Sequence, residues 1–117
     1  MSATERATAS GRRLAHPERE EIRLEAVLHA LADPVRLRIV RELADGHSEM
    51  ACIAFGLPVS KSTSTHHFRV LREAGVIRQH YEGTSRMSRL RQDDLDALFP
   101  GLLTAVLQAH RRSPHLA

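Results

Sequence analysis

Ser62, Thr65, His66 and Arg69 stand three, one and three residues apart within SKSTSTHHFRVLREAG, residues 60–75. On a helix this spacing gathers them on one side. Each can donate or accept a hydrogen bond, and Arg69 can fork onto guanine O6 and N7. Ser64, Phe68 and Leu71 recur on a different side, one that can turn toward a core. VIRQHYEGTSRMSRL follows at residues 76–90 and reads as a β-hairpin turning at Gly83, with Arg86 and Arg89 on its second arm. A polar helix face beside a basic hairpin suits duplex DNA. Ser62, Thr65, His66 and Arg69 are then the base-contact candidates. Lys61, Thr63, Arg72, Arg86 and Arg89 are the backbone-contact candidates.

The charge distribution agrees with this reading. Residues 58–92 hold seven basic and two acidic residues, whereas residues 18–57 hold five basic and eight acidic ones. A polyanion would orient on the later segment. Charge alone would fit an ordinary solvated surface equally well. Arginine dominates the basic residues, which favours forked contacts to phosphate or guanine. With three Phe, one Tyr and no Trp in 117 residues, stacking on single-stranded nucleic acid is a poor fit. The single cysteine, Cys52, excludes an intramolecular disulfide and suits a reducing cytoplasm. No apolar run is long enough for a membrane helix. The expected location is therefore cytoplasmic.

The elements that must position these residues are legible from their boundaries. Residues 1–16 read as a mobile N-terminal tail, 17–112 as one folded domain, and 113–117 as a C-terminal tail. Pro17 can begin a first helix, with Glu18, Glu20 and Glu21 at its positive end. Ile22, Leu24, Val27, Leu28 and Leu31 give this helix apolar residues on two sides, which calls for a partner chain as well as a core. Asp33-Pro34 begins a second helix and Asp45-Gly46 ends it. Leu37, Val40 and Leu43 form its inner stripe, with Arg36, Arg38 and Arg41 outside. Ser48 can cap a short third helix over residues 49–55. Ser60 caps the polar-faced helix, and Gly75 stops it. The hairpin arms span residues 76–81 and 86–91. A further helix opens at Gln92, and Pro100-Gly101 interrupts it. The expected fold is mainly α within the α+β class: a winged helix-turn-helix with a two-stranded wing and a helical dimer interface.

LADPVRLRIVREL (residues 31–43) and SKSTSTHHFRVLREAGVI (residues 60–77) closely resemble the ArsR/SmtB family of bacterial transcriptional repressors. The second motif is matched by Ser60, Ser62, Thr63, His67, Leu71, Arg72, Glu73, Ala74 and Gly75. The resemblance covers about residues 24–108. It implies a homodimer that reads a near-palindrome, with two recognition helices in successive major grooves about 10 bp apart or a multiple of that. The dimer interface would use Ile22, Leu24, Leu28, Leu102, Leu103, Val106 and Leu107. Arg86, Met87, Ser88 and Arg89 stand in the second wing strand, where many relatives carry Tyr or Val. That strand is therefore expected to be more exposed and more basic.

Some relatives hold zinc, nickel or cobalt between paired last helices. Asp94, Asp96 and His110 fall near those positions, but Asp96 stands where a histidine is expected and Leu107 replaces another ligand. The expectation is no resident cofactor, with a divalent transition metal at those three residues as the alternative. Cys52 lacks the second thiol of a Cys-x-Cys metal site and reads as a small packed residue. His66 and His67 point about 100° apart on a helix, so His67 reads as a structural hydrogen-bonding residue at the core edge. No nucleophile–base–oxyanion set or phosphate-cradling glycine loop occurs, so no enzyme activity is expected. The predicted function is a homodimeric repressor on double-stranded DNA, released by an unidentified signal. The alternatives are a regulator without a ligand sensor, a winged-helix protein-interaction module, and a metal buffer based on eight scattered histidines.

Overall fold

The computed structural model describes residues 14–46 and 49–112. Most of the expected N-terminal tail, the Ser48 cap and the expected C-terminal tail at 113–117 lie outside them. Five α-helices and three strands are described: α1 (Leu24–Leu31), α2 (Pro34–Ala44), β1 (Met50–Ala51), α3 (Lys61–Ala74), β2 (Ile77–Glu82), β3 (Ser85–Leu90), α4 (Gln92–Leu98) and α5 (Leu102–Arg111). Short 3-10 turns precede α1 (Arg19–Glu21) and follow β1 (Cys52–Phe55).

The expected first helix from Pro17 is instead a 3-10 turn followed by a break. Glu18 and Glu21 form a reciprocal capping box, and Ile22 then turns extended at ψ 125°. This break lets Ile22 drop onto Gly75, at the far end of α3. The chain restarts as α1, which buries Val27, Ala30 and Leu31 and leaves Leu24 and Leu28 exposed.

Asp33 caps α2, its Oδ2 accepting from the Val35 and Arg36 N–H groups at 2.9 and 3.0 Å. Arg36 corrects the expectation that it lies outside the inner stripe. It is buried, and its Nε donates to Ala30 O at 2.6 Å, closing the free carbonyl end of α1. The third helix expected over residues 49–55 is also corrected: Met50–Ala51 is a strand, and only Cys52–Phe55 turns as 3-10. Sheet pairing decides this, because Met50 and Ala51 lie opposite Ser88 and Met87 of β3.

The expected wing hairpin forms from β2 and β3, and β1 extends it into a three-stranded antiparallel sheet in the order β1-β3-β2. β3 is its central strand. Ser88 is consequently buried, and Arg86 and Met87 are half-buried, against the expectation of an exposed second arm. Burial alternation puts Ile77 and Gln79 on the sheet's inner face and Arg78, His80 and Glu82 on its outer face.

Phe68, Ile39, Leu71, Ile77, Val27 and Val40 fill the core where α1, α2, α3 and the sheet meet. Each such burial contributes about 1.5–3 kcal/mol. Phe55 packs edge-on against Phe68, with centroids 5.4 Å apart, and fixes the 3-10 turn against α3. Pro100-Gly101 separates α4 from α5, as the sequence predicts, and α5 buries Leu103, Leu107 and His110.

Candidate nucleic-acid interface

Ser60 starts α3 by accepting from Thr63 N–H at 3.2 Å, and its hydroxyl donates to Thr63 Oγ1 at 3.0 Å. The helix then presents two sides. His67, Phe68, Leu71 and Ala74 are buried. Lys61, Ser62, Thr63, Thr65, His66 and Arg69 are exposed. The four base-contact candidates thus share one open face. Thr65 and Arg69 have no side-chain hydrogen-bond partner among the described residues.

Two polar clamps fix this helix from behind. Buried Arg36 places Nη1 3.0 Å from His67 Nδ1, while its Nη2 donates to His29 O at 3.3 Å. Burial holds the His67 pKa below its ordinary value, which keeps Nδ1 available as an acceptor. In the second clamp, Arg72 Nη1 donates to Gln79 Oε1 at 2.7 Å, and Gln79 Nε2 donates to Ser88 Oγ at 3.0 Å. The Cys52 thiol closes this cluster, 3.7 Å from Ser88 Oγ, and burial raises its pKa. Gln79 also donates its backbone N–H to His16 Nε2 at 2.9 Å, so the chain just before the 3-10 turn is fastened to the edge of β2.

Arg72 therefore differs from the other backbone-contact candidates: it is half-buried and grips the sheet. Burial first, then the neighbouring Arg86 guanidinium, lower its pKa. Arg86 and Arg89 also part company. They are three residues apart on one strand and so lie on opposite faces. Arg86 pairs with Tyr81, donates to its hydroxyl and lies 5.1 Å from its ring centroid. Arg89 pairs with Arg78 on the outer face. Of the two, Arg86 shares the sheet face that meets Arg72 and α3.

The three metal-ligand candidates are not brought together in the subunit. Asp94 accepts from Arg19 Nε at 2.7 Å and Arg91 Nε at 2.9 Å, and these partners lower its pKa. Asp96 is exposed on α4. His110 is buried on α5, and neither ring nitrogen has a hydrogen-bond partner among the described residues. A carboxylate already held by two guanidiniums is a poor metal ligand, so these residues do not fit the site their positions suggest. The trio that does converge among the described residues is Glu49, His80 and Glu82, whose ligand atoms lie within 4.8 Å of one another. His80 and Glu82 stand two apart on one face of β2, a spacing visible in the sequence, but Glu49 reaches them only through the fold, so the trio was not legible as a set.

The dimer candidates also divide. Ile22, Leu103 and Leu107 are already buried within the single subunit. Leu102 and Val106 are half-buried. Leu24 and Leu28, 44% and 45% exposed, are the large apolar residues left open among the described residues.

Comparison with known proteins fits this geometry. The Helix-turn-helix domain family matches residues 31–80. The HTH-type transcriptional regulator YceK of Bacillus subtilis is 33% identical over 79 residues, covering 66% of this chain and 79% of that one. The HTH-type transcriptional regulator CmtR of Mycobacterium tuberculosis is 31% identical over 100 residues, covering 86% and 85%. A crystal structure of an ArsR family transcriptional regulator superposes with a TM-score of 0.58 at 21% identity, over 79% of this chain and 96% of that one. Another, described as a possible transcriptional regulator for arsenical resistance, gives 0.54 at 30% identity over 78% and 84%. The exposed polar recognition helix, the adjoining wing and these relatives together assign the chain to the ArsR/SmtB-type winged helix-turn-helix transcriptional regulators.

Proposed function

We propose that the protein is a homodimeric repressor that reads double-stranded DNA through α3. The observation that carries this reading is the open face of Ser62, Thr65, His66 and Arg69, on a helix clamped from behind by Arg36 and Gln79. Exposed polar groups on a helix fixed in direction can meet base edges at low ordering cost, and Thr65 and Arg69 have no side-chain hydrogen-bond partner among the described residues. Lys61, Thr63 and Arg86 supply backbone contacts beside them. Arg72 acts from behind, holding the helix to the wing, and Arg89 lies on the wrong sheet face for the same phosphate track. Two subunits join through the open apolar side of α1, where Leu24 and Leu28 are exposed, with Leu102 and Val106 of α5 alongside. The signal that releases the repressor acts on the dimer without a metal held by Asp94.

Mobility-shift titration on the DNA upstream of the protein's own gene, at two salt concentrations, tests this. A steep loss of affinity with salt and discrimination against scrambled duplex are expected. Equal affinity for both sequences would make the protein a non-specific binder, and no shift on either would leave the fold serving protein contacts.

A further inference from the structure

An open groove of about 500 Å³ lies at the base of the wing, where Arg19, Arg78, Arg89 and Arg91 meet Asp93 and Asp94, with Leu43 and Leu90 also lining it. This is the size range of a small-molecule site. Four guanidiniums face two carboxylates, so its walls carry excess positive charge. Asp94 organises them: Arg19 and Arg91 bond its two oxygens, and Arg78 Nη2 stands 3.9 Å from Oδ2. The Arg91 side chain is only 3% exposed, and its Nη1 also donates to Pro17 O at 2.8 Å. Burying a guanidinium is costly unless its N–H groups find acceptors, and these two contacts fix its direction.

The unbalanced part is the cross-strand pair. Arg78 and Arg89 lie directly opposite each other on β2 and β3. Like charges in that position destabilise a sheet. Asp94 reaches Arg78 only beyond hydrogen-bond distance, and Arg89 has no hydrogen-bond or ion-pair partner among the described residues. The pair faces away from α3 and Arg86, so DNA seated on the recognition helix does not relieve it.

We infer that this groove binds a small multivalent oxyanion, a phosphate- or carboxylate-bearing molecule. Arg78 and Arg89 fork onto it, and Arg19 and Arg91 line its other side. A DNA phosphate offers the same chemistry, and the test separates the two sources. Titration calorimetry of the full chain uses inorganic phosphate and, separately, citrate, against chloride at matched ionic strength. No DNA is present, so failure here is distinct from failure of the repressor reading. Saturable uptake of either probe with Kd below about 1 mM, weakened about tenfold or more by Arg78→Gln and by Arg19→Gln, is expected. Both residues are about half exposed, and thermal melts confirm folding of each variant. Should one variant fail to fold, the other carries the comparison. No uptake of either probe overturns the inference. So does uptake that survives both substitutions and is lost in Arg69→Ala, because the anion then sits on the DNA-reading face.

Discussion

Arg72, on the recognition helix, donates to the Gln79 side-chain carbonyl of β2 across 2.7 Å, and Gln79 hands its own amide on to buried Ser88. One glutamine thus ties α3 to the central strand of the wing. Gln79→Ala would leave a half-buried guanidinium and a buried hydroxyl without their partner. A loss of about 1–3 kcal/mol is expected, read as a lower urea midpoint with an unchanged slope. An unaltered midpoint would remove Gln79 from the clamp.

Gly75 terminates α3 at φ +87°, and a Cβ built there would meet Ile22 Cγ1 at 2.6 Å and Cδ1 at 2.8 Å. Gly75→Ala is expected to destabilise by about 1–3 kcal/mol from backbone strain, with the displaced Ile22 adding to it. Gly75→Ala combined with Ile22→Ala would recover part of the steric loss and none of the strain. Chemical denaturation of both variants separates the two contributions.

Arg69 is exposed on the polar face of α3, beside Thr65 and His66. Arg69→Ala should cost about 1–3 kcal/mol on the operator and relax the preference at one base position. Competition binding against operators varied singly at each position is the measurement. Wild-type affinity with intact folding would take Arg69 off the base-contact set.

Burial lowers the pKa values of His16, His67 and His110 below the usual 6.5. The unfolded chain therefore binds more protons than the folded one just below that pH, and stability must fall as pH drops through this window. Asp94, held below the usual 3.8 mainly by Arg19, adds a second loss only in stronger acid. Urea unfolding between pH 7.5 and 5 should show the first decline, with a shallower slope in His110→Gln. A flat profile would show that the three imidazoles keep their solution pKa values.

Leu24 and Leu28 expose their side chains on one side of α1. In a two-fold dimer each acts twice, and burying the part of each still exposed contributes about 0.7–1.4 kcal/mol. Leu28→Glu should give a monomer by sedimentation equilibrium with unchanged helical content. A persistent dimer would move the interface away from α1.

Much of this architecture was written in local chemistry. Asp33-Pro34, Ser60, Gly75 and Pro100-Gly101 set helix ends because caps, fixed φ and positive φ act within a few residues. The helical period also separated buried Phe68 and Leu71 from exposed Thr65 and Arg69 on α3. Pairing across long sequence separation was not legible. Met50–Ala51 became a strand because β3 offered a free edge, and that made β3 central and buried Ser88.

The polar face of α3 and the ends of that helix are readable residue by residue, because periodicity and capping are properties of chain neighbours. Long-range packing turns Arg36 inward to close α1, seats Ile22 on Gly75, and makes Arg86 and Arg89 look to opposite sides of one sheet. The physical reason is that a guanidinium or a methyl group takes its role from what lies within a few ångströms. Those neighbours come from distant parts of the chain.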